Sequence, residues 1–315
     1  MKDKKPTAIH RILNKIDSHN FFESLSTKIP SSDLNTLLLE LFKERTNDVN
    51  AQDLLKSYSI NRFVHPADFD PIWMKQLEMD VLKIAKKSLY HPLQLSPVSI
   101  LGSCSVIAKV NQNKVISALR GTEVVADATN SLALQICELV KSGQLKNDTD
   151  LIRFCTSHRH IRAQKFEKEE MVPHFNIFCM VTSGQDRGSY SFEKQAILEH
   201  IDTYRKIFNS VLETDITVRL NAAKGYTDHE GLLQRLSDYI QEEIPQVKLL
   251  INTEETDNLY YQGLQFTIIT NINGEEINIG DGGIVDWSQK LLGSKKERMM
   301  ISGIGLDMIY YFQNR

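Results

Sequence analysis

The stretch from Tyr260 to Tyr310 constrains the fold most. Two β-branched runs, Leu264–Thr270 and Glu276–Ile279, flank Asn273-Gly274. Asn-Gly accepts the positive φ values of a tight turn, so the two runs predict an antiparallel hairpin. The pair Gly282-Gly283 follows, and glycine lets backbone approach a ligand or another strand closely. Gly303-Ile304-Gly305-Leu306-Asp307-Met308 then reads as a glycine-rich strand passing into an apolar helix.

Residues 1–70 read as short helices. Ile9, Ile12, Leu13 and Ile16 have helical spacing, and Ser31-Ser32-Asp33 is expected to cap the apolar run Leu34–Phe42. A turn over 48–53 supplies a second cap before Leu54-Leu55. This predicts a helical N-terminal appendage that covers one face of the core or meets a protein partner. An amphipathic helix follows over 72–89, with Trp73, Leu77, Val81, Ile84 and Ala85 on one stripe. Pro92 and Pro97 then lead into an extended run, 98–101. Val106–Val110 and Lys114–Leu119 predict a hairpin through Asn111-Gln112-Asn113. Asp127-Ala128-Thr129-Asn130 opens a helix over 131–140, and these residue types also suit a plain helix cap. Strands are expected over 151–164, 174–181, 214–220 and 247–251, with helices at 191–212 and 226–243. The pattern predicts an α+β domain over 71–315, built on a predominantly antiparallel sheet flanked by helices.

Composition narrows the class of function. The chain has 315 residues, a net charge of −3 and 24% charged residues, an ordinary globular balance with no basic excess to draw nucleic acid. Its four cysteines are scattered without a Cys-x-x-Cys pair, which points to buried free thiols rather than zinc or disulfides. His158, Arg159, His160, Arg162 and His174 form a metal alternative, but their spacing fits no standard zinc pattern, so no metal is expected. There is no apolar run of membrane-spanning length and no signal-peptide core, so the expected location is the cytoplasm.

Taken in order, these motifs resemble the catalytic core of class II aminoacyl-tRNA synthetases. The histidyl type is the best match, including its paralogues of the ATP phosphoribosyltransferase regulatory-subunit kind. There, Tyr-Tyr-x-Gly precedes a Gly-Gly-Arg-Tyr-Asp turn and a third motif ending Gly-Leu-Glu-Arg; here the matching segments are Tyr260-Tyr261-Gln262-Gly263, Gly282-Gly283-Ile284-Val285-Asp286 and Gly305-Leu306-Asp307-Met308. The helix and proline-bearing strand of 72–101 resemble the first motif, which implies a homodimer through that element. Ile161-Arg162-Ala163-Gln164 stands where the second motif has Phe-Arg-x-Glu.

The resemblance implies a substrate pocket of Asp127, Thr129, Tyr260, Tyr261, Gln262, Gly282 and Gly283. Nucleotide contacts would fall on Arg162, Gln164, Phe175 and Asp286. ATP with Mg²⁺ is the implied cofactor, and Arg162 the implied catalytic cation, because its planar fork suits phosphate oxygens. The likeness spans roughly residues 72–312 and leaves no room for an anticodon-binding domain, so tRNA is not an expected partner.

Several charges depart from the family pattern. Met308 replaces the third-motif arginine, Ile284 replaces the arginine of the glycine turn, and Thr256 falls where the histidyl type has another. Each lost arginine removes a charge-assisted bond of ~1.5–3 kcal/mol. The expectation is a synthetase-like paralogue without standard aminoacylation, which binds an amino-acid-like ligand or nucleotide as a sensor or regulatory subunit. The alternative is an ATP-dependent ligase that forms an acyl-adenylate from a small acid for another acceptor.

Overall fold

A computed structural model describes residues 8–16, 20–148, 150–164, 173–226, 228–256 and 260–314. The charged run 165–170, between two of the expected strands, lies outside the described residues, as does the side chain at position 256. The chain divides into two compact units, Met1–Asn61 with Ser117–Thr122, and Arg62–Ile116 with Glu123–Arg315.

The larger unit is built on an eight-stranded sheet. Its strands are β1 (His91–Pro92), β2 (Ile152–Ile161), β3 (His174–Gln185), β4 (Ile216–Ala223), β5 (Lys248–Thr256), β6 (Leu264–Ile272), β7 (Glu275–Val285) and β8 (Glu297–Gly305). The spatial order is β1-β2-β3-β8-β7-β6-β4-β5. The inner pairings are antiparallel, but β1–β2 and β4–β5 at the two edges are parallel. The sheet is therefore mixed, which corrects the expected predominantly antiparallel sheet. The reason at the second edge is the connection: β4 reaches β5 through the helix His229–Glu243, and a strand–helix–strand crossover returns the chain parallel. The predicted hairpin is present as β6–β7, with Asn273 at φ 52° and Gly274 at φ 86° in its turn.

Period-two alternation along each strand feeds two apolar layers. On one face Met300 and Ile304 join Val218, Leu220 and Phe266 beneath the helices α4 (Pro71–Lys87), α6 (Ser191–Leu212) and α7 (His229–Glu243). On the other, Met299 and Ile301 pack with Val181 against α5 (Ala128–Lys141) and α8 (Trp287–Leu292). The first layer also holds a polar thread. His200 lies between Thr182 (2.9 Å) and Ser302 (2.6 Å), with Tyr90 on Thr182 (3.0 Å) and Tyr204 on Ser302 (2.7 Å). Complete burial pushes the His200 pKa down to about 3, so the imidazole is neutral and serves as a donor–acceptor link.

One expected hairpin is absent. Residues 106–119 do not form a hairpin; Ser103–Ile107 and Gln112–Lys114 are helical turns. The buried Glu123 carboxylate accepts the N–H groups of Gly102 (2.8 Å) and Cys104 (3.0 Å) and the Gln112 side chain (2.9 Å), which satisfies backbone that a strand ladder would otherwise bind. The expected helix at 191–212 is present and starts without a side-chain cap, Ser189 and Tyr190, at φ 52° and 56°, turning the chain into it.

The smaller unit carries α1 (Ala8–Lys15), α2 (Ser31–Asn47) and α3 (Ala51–Ile60). α2 begins at Ser31 behind Pro30, with no side-chain cap, whereas Asn50 caps α3 by accepting the Asp53 N–H at 2.9 Å. No side chain of these three helices is buried. Among the described residues no helix is long and apolar enough to cross a membrane. All four cysteines are buried and free, and among the described residues no group of three or more His, Cys, Asp or Glu is placed to hold a metal.

Candidate functional site

A cavity of about 1300 Å³ opens in the larger unit, on the side of the sheet covered by α5. Its floor is made where strand residues are small: Gly303 and Gly305 put no side chain between the sheet and the space above it. Asp127, Thr129, Arg162, Gln164, Phe175, Tyr260 and Tyr261 all line it, although they come from distant parts of the chain.

Asp127 sits at the N-cap of α5, and its Oδ1 accepts the Thr129 N–H (3.0 Å) and the Thr129 hydroxyl (2.6 Å). Tyr260 donates its hydroxyl to the other oxygen. One carboxylate thus both caps α5 and lines the cavity. A carboxylate offers about four acceptor sites, and three are used here, which leaves about one for a ligand. Beside this pair is a second of the same kind, Tyr261 hydrogen-bonded to Asp281. Burial pushes the Asp281 pKa up, and burial next to these acids holds both tyrosines in the phenol form.

His160 forms part of the wall. Its Nε2 accepts the Ala128 N–H at 2.8 Å, so Nδ1 carries the hydrogen and points to the His158 carbonyl at 3.0 Å. Burial lowers its pKa to about 3, so it adds no positive charge. Arg162 donates from Nε to the Ala126 carbonyl (3.1 Å), and its guanidinium lies 5.2 Å from the Phe175 ring centre. The His160 ring is near-parallel to Phe175 at 6.0 Å. Arg62 anchors this end of the strand by donating to the carbonyls of Ala163 (2.5 Å) and Gln164 (3.1 Å). At the third motif, Asp307 accepts the Asn176 N–H at 2.9 Å, and burial raises its pKa to about 6. Met308 lines the cavity at the position of the family's arginine.

Four of the expected site residues lie outside the lining. Gly282 and Gly283 are packed between β6 and β8. Gln262 donates to Asp286 (2.6 Å), and Lys290 pairs with the same carboxylate (2.6 Å), so these groups fasten the turn into α8. Asp281, Asn176 and Lys114 line the cavity without having been read as site residues. For Asp281 a signal existed: an aspartate inside a glycine-rich apolar strand breaks the pattern that the strand otherwise keeps.

No protein-family model matches the chain, and no curated protein matches it in sequence. Solved structures do match in shape. The apo histidyl-tRNA synthetase of S. aureus is 11% identical, with a TM-score of 0.61 over 81% of this chain and 70% of its own. An ATP phosphoribosyltransferase regulatory subunit/histidyl-tRNA synthetase from Bacillus halodurans is 13% identical, with a TM-score of 0.58 over 80% of this chain and 84% of its own. A putative threonyl-tRNA synthetase from Aeropyrum pernix is 12% identical, with a TM-score of 0.58 over 76% and 59%. At such identities the likeness speaks for the fold alone: this chain has the fold of a class II aminoacyl-tRNA synthetase catalytic core.

Proposed function

We propose that the protein is a synthetase-like paralogue that holds a small amine-bearing ligand, an amino acid or a relative of one, in this cavity. It would act as a sensor or regulatory subunit in the cytoplasm rather than by charging tRNA. The observation that carries this reading is the charge of the wall: among the described residues that line it are six carboxylates, Asp68, Asp127, Glu275, Glu276, Asp281 and Asp307, and two cationic side chains, Arg162 and Lys114. Such a lining favours a cation and opposes a polyanion. The ligand's ammonium group would sit on Asp127, a second basic group on Asp281, and a carboxylate on Arg162. The regulatory subunit among the similar structures lends the sensor reading a precedent in this fold.

These residues do not fit a triphosphate. Among the described lining residues, two cationic side chains beside six carboxylates, with Met308 at the third-motif arginine position, offer too little compensation for its charge. Adenylation of a small acid remains the alternative through Arg162, which lies on Phe175 as the second motif of the family would have it. The homodimer implied by residues 72–101 has support in the exposed apolar side chains Val98, Ile100, Leu101 and Val106.

Titration calorimetry with lysine, ornithine, histidine, leucine and ATP–Mg²⁺ tests the reading. Binding of a basic amino acid that weakens at least about tenfold in Asp127→Asn is the expected result, from loss of a charge-assisted bond. Binding of ATP–Mg²⁺, lost in Arg162→Ala, with no amine binding, would overturn it in favour of the ligase.

A further inference from the structure

The N-terminal helices hold an apolar surface that nothing in their own unit covers. Fourteen large apolar side chains between Ile9 and Ile60 are exposed, among them Leu54 at 63%, Leu55 at 64% and Ile60 at 86%. They fall at helical spacing: Ile9, Ile12 and Ile16 follow one stripe from α1, and Leu37, Leu41 and Phe42 follow another on α2. Helices of 8, 17 and 10 residues without a buried side chain cannot be held by their own propensity, since most helical stability in proteins comes from packing an amphipathic face.

We infer that this unit docks against the same unit of a second copy of the chain. Two observations select that occupant. The first is area. At roughly half exposure, fourteen such side chains present on the order of 1,000 Å² in all, on the scale of the about 800 Å² per partner that a stable interface needs. The second is charge. Residues 8–61 carry seven acidic and six basic side chains, a near-neutral balance, and Lys28–Glu23, Lys43–Glu40 and Lys56–Asp53 pair within the unit. A neutral surface does not repel its own copy, as a twofold interface requires, and it carries no signature for nucleic acid or for an oppositely charged partner. The inference is independent of what the cavity binds.

The test uses the full chain in a background, Ile100→Glu with Leu101→Glu, that disables the strand element through which this fold is expected to dimerise. Sedimentation equilibrium should still give a dimer. Adding Leu54→Glu and Leu55→Glu should raise its dissociation constant at least about tenfold, because the charges would have to be buried. In the same background Leu55→Cys supplies an exposed thiol, all four native cysteines being buried, and a short bismaleimide should join two chains through it. Circular dichroism and the melting temperature of each variant control for folding, since these positions are solvent-facing in the single chain. A monomer in the Ile100→Glu/Leu101→Glu background overturns the inference, as does a dimer indifferent to Leu54→Glu/Leu55→Glu. Recovery of a different protein on these helices, with no self-association, would also overturn it and assign the surface to that partner.

Discussion

Substituting Gly282 by alanine should damage the fold rather than the ligand site. Gly282 pairs with Ser302 on β8 and with Phe266 on β6, at the centre of the sheet. A Cβ built there falls against the Phe266 ring, 2.5 Å from the Ser302 Cβ and 2.6 Å from the Ile301 carbonyl oxygen. Neither Ser302 nor Phe266 can move aside. Ser302 is tied to His200 and Tyr204 at 2.6 and 2.7 Å, and Phe266 is completely buried. Overpacking of a well-filled core costs typically 1–3 kcal/mol, and contacts this close belong at the top of that range, about 3 kcal/mol. At roughly 2–4 °C per kcal/mol for a chain of this size, the melting temperature should fall by about 6–12 °C. Differential scanning calorimetry measures it, with the urea midpoint as a second reading. Gly303→Ala is the comparison: its Cβ meets the Ile177 Cγ2 at 3.0 Å, the end of a side chain that can yield, and the cavity lies beyond. That variant should lose less than about 1 kcal/mol. A Gly282→Ala protein within about 2 °C of wild type, or no more harmed than Gly303→Ala, would refute the packing argument.

Two further predictions concern charge. The Asp307 pKa is raised to about 6 in the folded protein, with burial the largest cause, against 3.8 for the free group. The folded state therefore binds this proton more tightly than the unfolded one, so its contribution favours folding below about pH 4 and is lost as pH rises through about 6. Asp307→Asn keeps an acceptor for the Asn176 N–H and should flatten this part of a stability–pH curve; an unchanged slope between pH 4 and 7 would count against it. Arg153 grips Glu199 through two bonds of 2.6 and 2.8 Å with both side chains mostly buried, so Arg153→Met should cost about 2–3 kcal/mol by leaving the acid unpaired. Adding Glu199→Gln should restore part of that loss in a double-mutant cycle of urea unfolding, and strict additivity would refute the pairing.

Local pattern made several elements legible. Asn273-Gly274 can hardly be anything but a hairpin turn, because both residues must take positive φ. The stripe Leu77–Val81–Ala85 could only be one buried face of α4. Asp127 was legible twice, as a cap and as a pocket acid, because a short side chain at the start of a helix serves both needs. Other parts failed because their causes are distant in sequence. The strand expected over Val106–Val110 gives way to a helical turn over Ser103–Ile107, whose start is held by Glu123 through the N–H groups of Gly102 and Cys104. Gln262 and Asp286 find each other, so they are spent on a turn rather than turned to the cavity.

What the sequence determined by itself was the succession of strands and helices and the motif order that goes with this fold, since periodicity, turn chemistry and caps act over a few residues. What only the tertiary structure decided was which polar groups share one space. The sheet brings Asp281, Asp127, Arg162 and Asp307 to a single cavity, and its pleat sends Gly282 and Gly283 into the packing between strands. Spacing along a chain gives no measure of that juxtaposition, because the strands that create it pair in an order far from their order in sequence.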